Sequence, residues 1–223
     1  MNSSFLTFSS ITKKIWMAFL GLFLMIFLVV HLGINLCLLR DDGGAWFTAA
    51  AHFMGTNYIV KVFEIGLFAG FIIHIFLGIL LQVQNWMARP VRYMVTNKTE
   101  TPFLSKYMIY TGGIVLIFLV IHFMNFYLIK LGWVSNSNVS AEGEPDFYVI
   151  AQQLFAIKAY SILYIILFVV LGFHLNQAFQ AALQTLGINH PQYSTCLSRF
   201  GTFYAIIVPL GFIIIPIYFL LIR

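Results

Sequence analysis

Five long apolar stretches constrain this chain more than any other feature. They run roughly over Ile15–Leu39, Ile59–Met87, Met108–Trp133, Tyr148–Leu186 and Thr202–Ile222. About 20 residues of helix cross the hydrocarbon of a bilayer. Lipid offers no water to the backbone, so each segment must satisfy its own N–H and C=O groups, which a helix does. The second and fourth stretches exceed the required length and must tilt or run past the lipid. Gln180, Gln184, Gly187, Asn189 and Pro191 predict that the fourth leaves the membrane before it ends. Composition agrees. Of 223 residues, 61% are hydrophobic and 9% charged, against about 45–50% and 25% in a soluble domain. That excludes a soluble monomer and a disordered chain. The expected fold is all-α: a polytopic bundle of five transmembrane helices, one integral-membrane domain over residues 1–223.

The first stretch is too long for a signal-peptide core, lacks a small-residue cleavage site and holds His31 and Asn35, so it reads as a retained span. The net charge of +5 rests on 12 Lys and Arg against 7 Asp and Glu. In a membrane chain this excess speaks of topology and lipid contact, not of nucleic acid. Lys13, Lys14, Arg89, Arg92, Lys98, Lys106 and Arg199 fall on one side of a five-span arrangement, and Arg40, Lys61, Lys130, Lys158 and Arg223 on the other, a modest bias that is clearest in the loop Ala88–Lys106. Most acids, including Asp41, Asp42, Glu64, Glu142, Glu144 and Asp146, fall on the other. The positive-inside rule then puts the N-terminus in the cytoplasm and the C-terminus outside. Trp16, Trp86 and Trp133 sit near span ends, as interfacial anchors do. Cys37 and Cys196 fall on opposite faces, which argues against a disulfide between them. No repeat, zinc spacing, phosphate-binding loop or dinucleotide fingerprint is present.

Four of the six histidines lie inside spans, one each on the first four: His31, His74, His122 and His174. Ionisable groups are costly in hydrocarbon and face the bundle interior. A lone histidine there reads as a helix–helix hydrogen bond. Four singles on four helices are better explained by pairwise ligation. His31 stands about 14 Å before Arg40 along its helix, and His122 about 12 Å before Lys130, at 1.5 Å per residue. Both helices run outward, so these two share a depth. His74 stands roughly 22 Å before Arg89 and His174 roughly 20 Å before Gly187, on helices that run inward. Two levels with two histidines each suit two stacked bis-histidine haems, whose irons take one imidazole on each face.

Gly66, Gly70, His74 and Gly78 recur at steps of four and share one helix face. Small residues there would let a porphyrin lie against the backbone; a small-xxx-small packing seam is the other reading. Zinc is disfavoured because no Cys or carboxylate accompanies the histidines at ligand spacing. A proton pathway would add buried acids, and Glu64 is the sole candidate.

These segments resemble a known family, the cytochrome b membrane anchors of succinate dehydrogenase and fumarate reductase. The closer likeness is to the single-subunit, five-helix, dihaem b558-type anchors of Bacteroidetes and related bacteria. The carrying segments are VVHLGINL, AHFMGTN, FIIHIFLG, RPVRY, IHFMNFY, GFHLNQAFQAALQTLGIN and FGTFYAIIVPLGF, which together cover nearly the whole chain. The resemblance implies two haem b groups, the distal one on His31 and His122, the proximal one on His74 and His174. It implies an iron–sulfur subunit and a flavoprotein docked on the cytoplasmic face, a bacterial cytoplasmic membrane, and quinone, menaquinone by family habit, as the electron partner. A cytochrome b of the bc1 type places two ligand histidines on each of two helices, unlike the one per helix here.

A quinone headgroup needs polar donors at an interface and a proton route to water. His52, Asn57, Lys61 and Glu64 cluster at the outer end of the second span, with His52 and Glu64 the candidates for proton exchange. A solvated loop and helix start is the competing reading. Gly70 and Gly78 are candidates for haem packing, and Arg89 and Arg92 for contact with propionates, lipid phosphate or the partner subunit. Gln177 and Gln184 share the His174 face, and Asn35 and Asn125 follow His31 and His122 by about one turn. His190 is given no role. The rival readings are a dihaem anchor of a hydrogenase or formate dehydrogenase type and a haem-free transporter.

Overall fold

A computed structural model describes residues 9–87, 107–139, 143–188 and 193–221. Arg89, Arg92, Lys98, Lys106, Glu142, His190 and Arg223 lie outside the described residues. Helix α1 spans Ser10–Leu36, opened by a hydrogen bond from the Thr12 N–H to the Ser9 hydroxyl and prolonged by a 3-10 turn over Cys37–Leu39. Then come α2 (Ala45–Thr56), α3 (Tyr58–Met87) and α4 (Met108–His122). A π-turn over Phe123–Tyr127 links α4 to the short α5 (Leu128–Lys130). The chain ends with α6 (Phe147–Ala156), α7 (Lys158–Thr185) and α8 (Ser194–Leu221). Among the described residues no strand forms, only an isolated bridge between Val139 and Pro145.

Five helical segments are long and apolar enough to cross a membrane: Ser10–Leu39, Tyr58–Met87, Met108–Lys130, Lys158–Thr185 and Ser194–Leu221. The all-α, five-span expectation therefore holds, with two departures. The fourth stretch is not one helix from Tyr148 to Leu186. It breaks at Ile157, whose extended backbone (φ −82°, ψ 108°) separates α6 from α7. The Ser161 hydroxyl donates to the Phe155 carbonyl across the break and satisfies a helix-end acceptor. No Pro or Gly marks that position, so hydropathy reads straight through it. The second departure is α2, an extra helix between the first two spans. Asp42 starts it by accepting from the Gly44 and Trp46 N–H groups. Gly43 and Gly44 supply the left-handed turn before it, at φ 65° and 87°.

Neighbouring spans run antiparallel. The Lys13 ammonium donates to Gln84 Oε1, joining the start of α1 to the end of α3. The Gln180 amide donates to the Ser198 carbonyl, joining the end of α7 to the start of α8. At the opposite end, Lys130 and Glu64 pair at 3.2 Å. The two ends are called here the Lys13 end and the Glu64 end.

The densest packing lies between α7 and α8, backed by α1. Phe168 stacks on Phe212 at 5.3 Å, and Tyr164 meets Phe118 and Phe155 edge-on. Pro209 withholds the N–H that would normally pair with the Ala205 carbonyl. That carbonyl lies against Gly172, where an added Cβ would come within 2.9 Å of it. The glycine thus lets α7 approach the loosened turn of α8. Gly172→Ala is expected to destabilise the bundle by about 1–3 kcal/mol, the usual cost of overpacking. Gly113→Ala, with open space around it, should be neutral or stabilising by about 0.5–1 kcal/mol. Unfolding of the two variants in detergent checks the contrast; equal stability would refute the close approach.

Candidate functional site

Of the four intramembrane histidines, the structure brings His31 and His122 together. His31 on α1 and His122 at the end of α4 bring their rings to 5.8 Å between centroids, nearly perpendicular at 86°. Two imidazoles bound to one metal through bonds of about 2.0–2.1 Å stand with ring centres about 6 Å apart. His74 on α3 faces α1 at Gly21, and His174 on α7 faces α4 at Gly112. All four side chains are half-buried. Among the described residues no group of three or more His, Cys, Asp or Glu converges. The donor sets are pairs of nitrogens, suited to axial ligation rather than to a tetrahedral site with three or four protein ligands.

Aromatic rings enclose the first pair. Phe27 stacks on His31 at 5.2 Å, and Phe212 comes within 5.7 Å of it. Phe118 and Phe126 flank His122 at 6.0 and 5.2 Å. Nδ1 of His74 and Nδ1 of His122 are buried and have no hydrogen-bond partner among the described residues. An unpaired buried polar atom costs about 1–3 kcal/mol. One such nitrogen in each pair fits a group that either takes a lone pair or accepts a ring N–H. The donor set is therefore compatible with a haem iron.

Two glycines that the sequence pattern did not single out meet the second pair. A Cβ at Gly21 on α1 would lie 3.8 Å from His74 Cε1, and one at Gly112 on α4 would lie 3.3 Å from His174 Cε1. Each glycine precedes a histidine of the other pair by ten residues, in GLFLMIFLVVH and GGIVLIFLVIH. Ten residues of helix rise about 15 Å, which separates the two levels. The glycines expected against a porphyrin face α1 side chains instead. Gly70 meets Phe23 at 3.4 Å, Gly78 meets Met17 at 3.2 Å, and Gly66 meets nothing within 4 Å.

The polar neighbours divide. The Asn35 amide donates to the His31 carbonyl at 2.8 Å and reaches the ring nitrogens only at 3.4 and 3.5 Å. Asn125 donates to the Tyr164 hydroxyl at 2.9 Å, a bond between the π-turn and α7. The Thr111 hydroxyl sits 3.3 Å from His174 Nδ1 and 3.5 Å from Gln177 Oε1. Gln184 lies farther along α7, beside Gln180, Ser194 and Arg199 in a cleft of about 440 Å³.

The cluster foreseen at the start of the second span does not assemble as one site. Glu64 accepts from the Tyr127 hydroxyl at 3.0 Å and from Lys130. His52 is exposed on α2 and Lys61 exposed on the first turn of α3. No hydrogen bond or ion pair among the described residues joins either of them to Glu64. Asn57 caps α3, its Oδ1 accepting from the Ile59 and Val60 N–H groups at 2.9 and 3.3 Å. Of the partners of Glu64, Tyr127 closes the π-turn and Lys130 follows it, a feature that hydropathy does not reveal. Cys37 and Cys196 are both free thiols.

Compared with protein families, characterised proteins and solved structures, the chain matches none. The cap makes a direct prediction. Asn57→Ala should cost about 1 kcal/mol of stability, and Asn57→Asp much less, as for N-caps generally. Thermal unfolding in detergent decides; an Asn57→Ala variant as stable as the parent would remove Asn57 from the cap.

Proposed function

We propose that this chain is the membrane-anchor cytochrome b subunit of a succinate:quinone oxidoreductase, in a bacterial cytoplasmic membrane. In this reading it carries electrons through two haem b groups between an iron–sulfur subunit and membrane quinone, with a flavoprotein completing the complex. The carrying observation is the meeting of His31 and His122 at 5.8 Å between two helices that run the same way. His74 and His174, which helix rise assigns to a second common depth, supply the other two ligands in this reading. The remainder rests on the resemblance of the motifs around those histidines.

Bound haem would supply reversible one-electron exchange at iron, the hard chemistry that a protein positions and tunes. His31 and His122 would hold the distal group, His74 and His174 the proximal one. Each imidazole offers an uncharged nitrogen, which avoids placing a bare charge in hydrocarbon. Phe27, Phe118, Phe126 and Phe212 keep water from the first pair. At the Glu64 end, the Tyr127 hydroxyl and the Glu64 carboxylate lie together at 3.0 Å. Glu64, held by the Tyr127 hydroxyl and by Lys130, would be the proton acceptor for a quinol hydroxyl at this end, with His52 as a second candidate for proton exchange. Arg89 and Arg92 remain candidates for the partner-facing side, with the N-terminus cytoplasmic.

The test is optical. Purified protein should show a reduced-minus-oxidised b-type band and two haems per chain, reducible by succinate in the complex. Replacing His31 or His122 by Ala should leave one haem per chain. Replacing His74 or His174 should remove the other. Full haem content in all four variants would overturn the ligand assignment, and the absence of a b-type band would overturn the function.

A further inference from the structure

Thr111 stands on α4, one turn into the helix at the Lys13 end, facing His174 on α7. Its Oγ1 is 3.0 Å from the Met108 carbonyl oxygen and 3.3 Å from His174 Nδ1. A threonine hydroxyl has one hydrogen to give and two lone pairs to offer. The Met108 carbonyl can only accept and is the nearer partner, so the hydroxyl hydrogen goes there. Gln177 Oε1 at 3.5 Å is a weaker competitor for it. The bond to His174 must then be donated by the ring. Nδ1 of His174 carries the proton, and Nε2 keeps its lone pair.

Among the described residues nothing equivalent holds the other three rings. Nδ1 of His74 and of His122 are buried without a partner among the described residues. The ring of His31 is approached by an amide donor, Asn35 Nδ2, which can only give a hydrogen. Gly112, the residue after Thr111, adds a wall without a side chain at Cε1 of the same ring. The start of α4 thus both seats the His174 ring and accepts the hydrogen bond of its Nδ1–H.

We propose that Thr111 is a positioning residue that locks His174 as the Nδ1–H tautomer and makes its Nε2 the most basic of the four imidazole donors. This rests on the reading that His174 ligates a haem iron. An acceptor on the distal N–H raises the basicity of a ligating imidazole. A more basic ligand favours the oxidised metal, so the hydroxyl lowers the potential of the iron that His174 holds.

The test is a potentiometric titration of the reduced-minus-oxidised spectrum of the purified protein, in Thr111→Val and Thr111→Ser. Valine keeps the shape and deletes the acceptor; serine keeps the acceptor. Of the two spectral components, the one missing from a His174→Ala variant should move upward in Thr111→Val, by up to about tenfold in its reduction equilibrium, ~59 mV for one electron. It should stay near the parent value in Thr111→Ser. Loss of that component in Thr111→Val but not in Thr111→Ser also supports the proposal. Unmoved components in Thr111→Val would overturn it, as would equal shifts or equal haem loss in both variants, which would mark a packing role. A parent protein with no b-type band would instead overturn the functional reading beneath it.

Discussion

A histidine ring in hydrocarbon carries one nitrogen that must donate and one that must accept, with no water to serve either. That requirement organises this bundle. His31, His74, His122 and His174 sit on four different helices, and His31 is turned inward beside His122. The pairing expected from depth joins helices that run the same way: α1 with α4, and α3 with α7. In an up-and-down bundle such helices are not consecutive in the chain. A group shared by two such rings would link helices that hairpin packing alone leaves apart. Satisfying two rings with one shared group at each level would settle the orphaned nitrogens of His74 and His122 at the points where the fold leaves them.

The two levels are also linked along single helices. On α1 the position that touches His74 is Gly21, and the position that meets His122 is His31. On α4 the position that touches His174 is Gly112, and the position that meets His31 is His122. Each helix gives a ligand-type side chain at one level and bare backbone at the other. A shift of either helix along its axis would disturb both levels together, since a rise of one turn, about 5.4 Å, exceeds any slack in a ring-to-ring contact. The π-turn after His122 keeps this register independent of the polar end of the span. It adds its extra residue beyond the ligand position, and past it Asn125 reaches α7 while Tyr127 and Lys130 reach Glu64 on α3.

Hydropathy read the spans well because it measures what lipid demands, an apolar surface along about 20 residues. It placed α3 at Ile59–Met87 against an observed Tyr58–Met87. It missed the break at Ile157 because the break is made by a side-chain bond from Ser161, not by a breaker residue. It missed α2 because twelve residues between spans carry no bilayer signature, although Asp41-Asp42-Gly43-Gly44 is a legible turn and cap. The approach of His31 to His122 agrees with the common depth that rise per residue assigns them. Which glycines meet the rings was not legible. The stripe Gly70–His74–Gly78 lies on one face as predicted, but its glycines meet Met17 and Phe23, and Gly21 and Gly112 are found only once helix rotation is known. Thr111 was illegible for the same reason, because a single hydroxyl near a span end looks like a polar boundary.

The bundle divides its labour between a packed half and a clamped half. Helices α7 and α8, with α1 behind them, bury most of the core, including Tyr164, Phe168, Phe212 and Phe219. Helix α8 carries no intramembrane histidine; it contributes Phe212 beside His31 and the Pro209 turn that admits Gly172. Helices α3 and α4 bury little and meet each other chiefly near the Glu64 end. Beside their packing on α1 and α7, they carry polar clamps: Lys13–Gln84, Glu64 with Tyr127 and Lys130, Thr111–His174, and Asn125–Tyr164. Interhelical hydrogen bonds in membranes average only about 0.6 kcal/mol. Such clamps fix rotation and height more than they add stability. Fixed rotation and height are what facing rings need, because two imidazoles meet across helices only when both helices hold their angle.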